Sequence, residues 1–229
     1  MIIISDLFST IKIIIYYQLF VFFAAAFFMP LKRKTNKIFF GILICYSLTE
    51  FITILMKFVI TDNHFRTNMN YKNYELSFIV TFLLWFFLLE QNGVSKKLMR
   101  FVYLFFLCFV VVDFFVIQKD DDLKTYIFCM GSFLYLTIFF MLSFKKLKNE
   151  DFNFLFNNEY RLLSAPILMF FGLSLVFAFI DVKLQQVIIY KSYDLYTITT
   201  NYINFISYSL LLWYIYIEYR NHKRVIPEE

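Results

Sequence analysis

Glycine, proline, cysteine and histidine are all scarce in this chain, and each scarcity closes off a class of function. The four glycines form no phosphate-cradling loop, so no nucleotide site is expected. The three cysteines, Cys45, Cys108 and Cys129, fall inside apolar runs with no C-x-x-C or zinc spacing, which points to packing and not to redox chemistry. The two histidines, His64 and His222, lie in a connection and in the tail, too few and too far apart for a metal centre or a histidine-activated nucleophile. No metal, no cofactor and no enzymatic activity are expected. Charge is thin as well: 17% of residues are charged and 61% hydrophobic, with a mean hydropathy of +0.66, far from the balance of a soluble domain.

What remains is long apolar runs. At 1.5 Å per residue about 20 residues cross a bilayer core, and seven stretches approach that length: Leu7 to Met29, Ile38 to Ile60, Tyr74 to Leu89, Phe101 to Ile117, Thr125 to Phe144, Ala165 to Ile180 and Leu195 to Tyr219. The third, fourth and sixth are short. The connections are short too, so residues 1–229 read as a single all-α, seven-transmembrane-helix bundle. The 34 Phe and 17 Tyr suit lipid-facing positions and an AT-biased gene alike. The Ala24-Ala25-Ala26 run mimics a cleavage site, but the basic cluster follows the apolar stretch, the reverse of a signal peptide, so this segment is expected to stay as the first helix.

Lysine and arginine set the orientation. Fourteen fall in the connections after the first, third and fifth helices and in the tail, among them Lys32 to Lys37, Lys96 to Arg100, Lys145 to Arg161 and Arg220 to Arg224. Six fall in the opposite connections, which also carry the acidic run Asp120 to Asp122. The basic side is expected to be cytoplasmic, with the N-terminus out and the C-terminus in, in a bacterial inner membrane. Basic loops beside anionic lipid account for the net charge of +5 without nucleic acid. Phe152, Leu155, Phe156 and Leu163 recur at near-helical spacing in the basic connection, which predicts either a short interfacial helix or a plain loop.

Intramembrane polar residues carry the functional expectation, because a charge near mid-bilayer costs a few kcal/mol and needs a partner, a proton or water. Tyr46, Glu50, Thr53 and Lys57 form one stripe along the second helix; Thr197, Asn201, Asn204 and Tyr208 form one on the seventh. Gln18 and Asp113 add polar groups on the first and fourth. One reading places Glu50, Thr53, Tyr46, Asn201, Asn204 and Tyr208 around an outward-facing cavity, with Glu50 anchoring a ligand, cation or proton. The other makes them interhelical hydrogen-bond glue. Lys57 and Asp113, at similar depth with Lys12 nearby, are expected to form a charge pair.

The last helix lacks the lysine of a retinal protein, and Leu89-Glu90-Gln91 and Asn201-Tyr202-Ile203-Asn204 do not match the motifs of G-protein-coupled receptors. Small seven-helix sugar transporters need proline-bearing helices, whereas Pro30 and Pro166 lie at helix ends. Glu159-Tyr160-Arg161, then Ser164-Ala165-Pro166 through Gly172, and Thr200-Asn201-Tyr202-Ile203-Asn204-Phe205 resemble a loose group of small uncharacterised bacterial seven-helix integral membrane proteins, with a proline opening helix six and an asparagine early in helix seven. The resemblance implies a sensory or signalling role. A sensor or signal-relay subunit with a cytoplasmic partner at the basic loops is therefore the first expectation, and a small-molecule or ion transporter coupled through Glu50 the alternative.

Overall fold

A computed structural model describes residues 13–118, 123–178, 188–190, 193–194 and 198–225. Lys12, Lys119, the Asp120–Asp122 run, Lys183, Lys191 and Thr197 lie outside these residues. The described chain is helical apart from one small hairpin. Its helices are α1 (Ile13–Phe28), α2 (Lys34–Val59), α3 (Asn63–Gln91), α4 (Lys96–Val112), α5 (Thr125–Lys148), α6 (Phe152–Phe156), α7 (Asn158–Ser164), α8 (Ile167–Ala178) and α9 (Asn204–Val225). A π-helical turn, Asp113–Ile117, extends α4, and another, Ile198–Ile203, leads into α9. The hairpin pairs β1 (Ile188–Tyr190) with β2 (Tyr193–Asp194) antiparallel.

Among the described residues, five helical stretches are long and apolar enough to cross a membrane: Lys34–Val59, Asn63–Gln91, Lys96–Ile117, Thr125–Lys148 and Asn158–Ala178. Helix α1 is apolar but has 16 described residues, and the polar last turns of α9 shorten its apolar part. The outer surface suits lipid, with Phe27, Phe115, Phe133 and Leu104 each at least 65% exposed, an apolar display that a water-soluble monomer rarely carries. Helix α4 shows the sorting best. Met99, Val102, Phe106 and Val110 are buried at helical spacing, while Phe101, Leu104, Phe105 and Val111 face outward.

Local chemistry fixes the helix ends. The Asp62 carboxylate accepts from His64 N (2.8 Å) and Phe65 N (3.1 Å) and so starts α3. That helix begins eleven residues before the expected Tyr74, because Asn63 to Asn73 are polar enough to read as loop yet carry a capped helical start. At 29 residues it is about 44 Å long, longer than the ~30 Å apolar core needs. Gly93, at φ +105°, closes its C-terminal end in a conformation that side chains resist. Ser95 Oγ accepts from Leu98 N (3.3 Å) at the start of α4.

Pro166 has no N–H to donate and separates α7 from α8. The Tyr135 hydroxyl of α5 donates to the nearby Leu163 carbonyl at 2.6 Å. The basic connection is two short helices, α6 and α7. Leu163 and Phe154 are buried there, whereas Phe152 and Phe156 are exposed, so the expected apolar stripe is split between two helices with different faces. In the last turn of α5, the Lys146 ammonium lies 2.9 Å from Asp151 and holds that carboxyl below its usual range.

Helices α1, α2, α3, α5, α8 and α9 pack in sequence into a closed ring, with α9 returning to α1; α4 lies outside the ring against α3 and α5. The core is aromatic: Phe82, Trp85, Phe86, Phe106, Tyr135 and Phe170 are all fully buried. The Phe82 ring sits 4.9 Å from Phe170, 5.4 Å from Phe128 and 6.0 Å from Phe106, within the range where offset and edge-on rings attract.

Candidate functional site

All six ring helices contribute to one cavity of about 160 Å³. Helix α1 supplies Ile14, Ile15 and Gln18; α2 supplies Tyr46, Thr49 and Glu50; α3 supplies Tyr74, Ser77, Phe78, Thr81 and Phe82. Phe128 comes from α5, Met169, Phe170 and Leu173 from α8, and Asn204 and Tyr208 from α9. Glu50 stands nine residues before the end of α2, roughly 14 Å along the axis, which puts the cavity in the half of the bundle away from the basic connections.

Four of the six residues expected at a ligand site are brought together here: Tyr46, Glu50, Asn204 and Tyr208. The Tyr74 hydroxyl donates to Glu50 Oε1 at 3.4 Å. The Tyr208 hydroxyl donates to Gln18 Oε1 at 2.7 Å, and Trp85 Nε1 donates to the Tyr46 hydroxyl at 3.2 Å. Among the described residues, two polar atoms of the lining have no partner: Gln18 Nε2, on a side chain 7% exposed, and Asn204 Oδ1. A buried donor and a buried acceptor without partners cost stability unless something else meets them.

Thr53 and Asn201 do not line the cavity. Thr53 is buried against α3, where Asn73 Nδ2 donates to its Oγ1 (3.2 Å) and to the Thr49 carbonyl (2.9 Å), the glue role in practice. Asn201 lies in the π-helical turn, whose wider i→i+5 winding breaks the three-and-four step that would align it with Asn204. The Lys57–Asp113 pair is not formed. Lys57 is exposed; among the described residues, Asp113 is fully buried with neither carboxylate oxygen hydrogen-bonded, and the charges acting on it there include Lys124 and Glu75. Glu75, 4% exposed, accepts from the Lys124 backbone N–H at 3.0 Å.

Tyr74, Ser77 and Thr81 line the cavity without having been singled out in the sequence. Their steps of three and four along α3 were the available signal. A second polar cluster also went unread. Glu218 on α9, 4% exposed, accepts from Arg33 Nη1 at 3.2 Å, Asn36 Nδ2 at 3.0 Å and Asn158 Nδ2 at 2.9 Å. Arg33 also pairs with Glu159, and the Tyr214 hydroxyl donates to Asn36 Oδ1. Burial works against the Arg33 charge, but Glu159 and Glu218 outweigh it and raise its pKa. This clasp ties the α1–α2 connection, α7 and α9 together at the basic end. Arg161 over the Trp213 ring (5.3 Å) and Lys34 over the Phe87 ring (4.7 Å) lie at the same end.

Among the described residues no group of three or more His, Cys, Asp or Glu side chains is placed to hold a metal ion. Comparison of the chain with protein-family models, with curated proteins and with solved structures gives no match.

Proposed function

We propose that this chain is a seven-span membrane receptor for a small ligand, a sensor or signal-relay subunit whose ligand enters the ring cavity from outside and whose basic face meets a cytoplasmic partner. In this reading the N-terminus is out, the C-terminus is in, and the membrane is a bacterial cytoplasmic membrane. The observation that carries the proposal is the cavity itself. Six helices converge on it, and its lining combines a carboxylate, three phenols and two amide groups with unpartnered atoms. Ligand pockets commonly mix a mostly apolar wall with a few convergent polar groups.

Binding is favoured over passage because the other half of the bundle is filled. Phe39, Trp85, Phe86 and Tyr135 are fully buried, and the Arg33–Glu218 clasp closes the basic end. Affinity selection tests the proposal. Purified wild-type protein incubated with the small-molecule fraction of its host should retain a low-mass compound detected by mass spectrometry. Ser77→Phe, which fills the cavity, should lose that compound, and Glu50→Gln should retain less of it. Equal retention by wild type and Ser77→Phe would contradict the reading.

A further inference from the structure

A second hollow, of about 530 Å³, lies on the outside of the bundle between α1 and α9 and shares no lining residue with the ring cavity. Phe20, Ala24 and Phe28 recur every four residues and share one face of α1, where the small Ala24 side chain leaves room between two rings. Leu212, Trp213 and Tyr219 are part of the α9 wall, and the Phe28 and Tyr219 rings meet at 5.4 Å. Phe20, Phe28, Trp213 and Tyr216 are each more than half exposed. The groove therefore opens sideways, into lipid when α1 and α9 span the membrane as proposed above, and the inference rests on that span reading.

The wall suits a hydrocarbon chain. No lining residue is charged, and the Ser209 hydroxyl is already taken up by the Phe205 carbonyl (2.8 Å) and the Tyr17 hydroxyl (2.9 Å). Ser209 to Tyr219 covers roughly 15 Å along the helix axis, about half of the ~30 Å hydrocarbon core and so the depth of one leaflet.

The Tyr219 end of this groove is basic. The Arg161 guanidinium stands over the Trp213 ring at 5.3 Å and the Lys223 ammonium over the Tyr219 ring at 4.9 Å, so two cations lie against rings of the wall. Arg220 and Lys223 also continue the face of Trp213 and Tyr216 at steps of three and four. The carboxylates at this end, Glu159 and Glu218, are engaged by Arg33, and among the described residues neither Arg161 nor Lys223 has an acidic partner. Cations beside an apolar groove between helices favour a lipid whose phosphate carries net negative charge.

We propose that this groove holds an acyl chain of an anionic phospholipid of the surrounding membrane, its headgroup drawn to the basic end by the charges of Arg161 and Lys223.

Tryptophan fluorescence tests this directly, because bromine on an acyl chain quenches an indole it touches. Trp213 lines the groove, while Trp85, the other tryptophan, is fully buried and supplies a constant background. The full-length protein is reconstituted in phosphatidylcholine bilayers with increasing fractions of brominated phosphatidylglycerol or brominated phosphatidylcholine of the same chains. Phosphatidylglycerol should be preferred at least about threefold. Arg161→Gln and Lys223→Gln together should make the two lipids about equal, whereas Lys96→Gln and Lys97→Gln, which remove the same charge from α4, should leave the preference unchanged. Equal quenching of wild type by both lipids would leave α9 in lipid but overturn the anionic site. A preference that survives the first double variant, or that the α4 variant abolishes as well, would also overturn it. Quenching by neither lipid would take the groove out of lipid contact and overturn the inference; a dimer in those bilayers would then assign the groove to a second copy, and a monomer would overturn α9 as a span as well.

Discussion

Glu218 is a carboxylate 4% exposed that is held by three donors from separate segments of the chain. Removing it takes one acceptor each from the buried amides of Asn36 and Asn158, which keep the Pro30 and Tyr214 carbonyls, while Arg33 keeps Glu159, and buried donors left unmet cost about 1–3 kcal/mol. Glu218→Ala should therefore lower the detergent-phase Tm by several degrees, and Glu218→Gln, which keeps the shape and one acceptor oxygen, by less than half as much. Equal Tm values for wild type and Glu218→Ala would show that the clasp is not structural. The sequence hid this residue because a glutamate among the arginines and lysines near a helix end reads as solvated, and its partner Arg33 lies 185 positions away. Glu50 drew notice in the sequence for the opposite reason: a carboxylate deep in an apolar run needs a partner, a proton or water. Asp113 was legible as buried but not by partner, since equal depth says nothing about which faces meet. Lys57→Ala and Asp113→Ala should be additive in unfolding free energy within about 0.5 kcal/mol, and Asp113→Asn should not lower stability at neutral pH. A coupling above about 1 kcal/mol in that double-mutant cycle would restore the pair.

Between elements, α5 packs tightly against α3 at Gly131. A Cβ there would stand 2.5 Å from the Phe82 ring, and Phe82 has little room to yield among Phe106, Phe128 and Phe170. Gly131→Ala should cost about 1–3 kcal/mol by overpacking. Gly41→Ala serves as the control, because its Cβ would meet Leu84 Cδ1 at an ordinary 3.8 Å and alanine is the better helix former. Thermal unfolding of the two variants checks both signs; a Gly131→Ala protein as stable as Gly41→Ala would mean the helices do not meet there. Helix existence was legible from apolar runs, whereas helix limits were not. The polar first turns of α3 carry a helix that hydropathy does not report, and the π-helical winding before α9 displaced Asn201 from a face that a 3.6-residue period would have given it.

For the whole molecule, the alternation of basic and neutral connections was the most readable feature, and the packing agrees with it in one respect. Arg33, Glu159, Arg161 and Glu218 meet at one end of the bundle, while Glu75, Asp113 and Lys124 group elsewhere. A reporter active only in the cytoplasm should work when fused after Arg224 or after Lys97 and fail after Asp121; the reverse pattern would invert the proposed topology. The cavity was only half legible. Stripes on two helices identified its α2 and α9 walls, but ring closure through α1, α5 and α8 depends on tertiary packing that no single periodicity encodes.

Ser77, 9% exposed and on the cavity wall, offers the most direct test of an outward-facing cavity. In a variant with Cys45, Cys108 and Cys129 replaced by alanine, Ser77→Cys should react with a membrane-impermeant methanethiosulfonate added to the outer face of intact cells or spheroplasts. The same reagent applied only to the cytoplasmic face of inverted vesicles should leave it unmodified. Labelling from the cytoplasmic face alone, or from neither face, would contradict a polar cavity that opens to the outside.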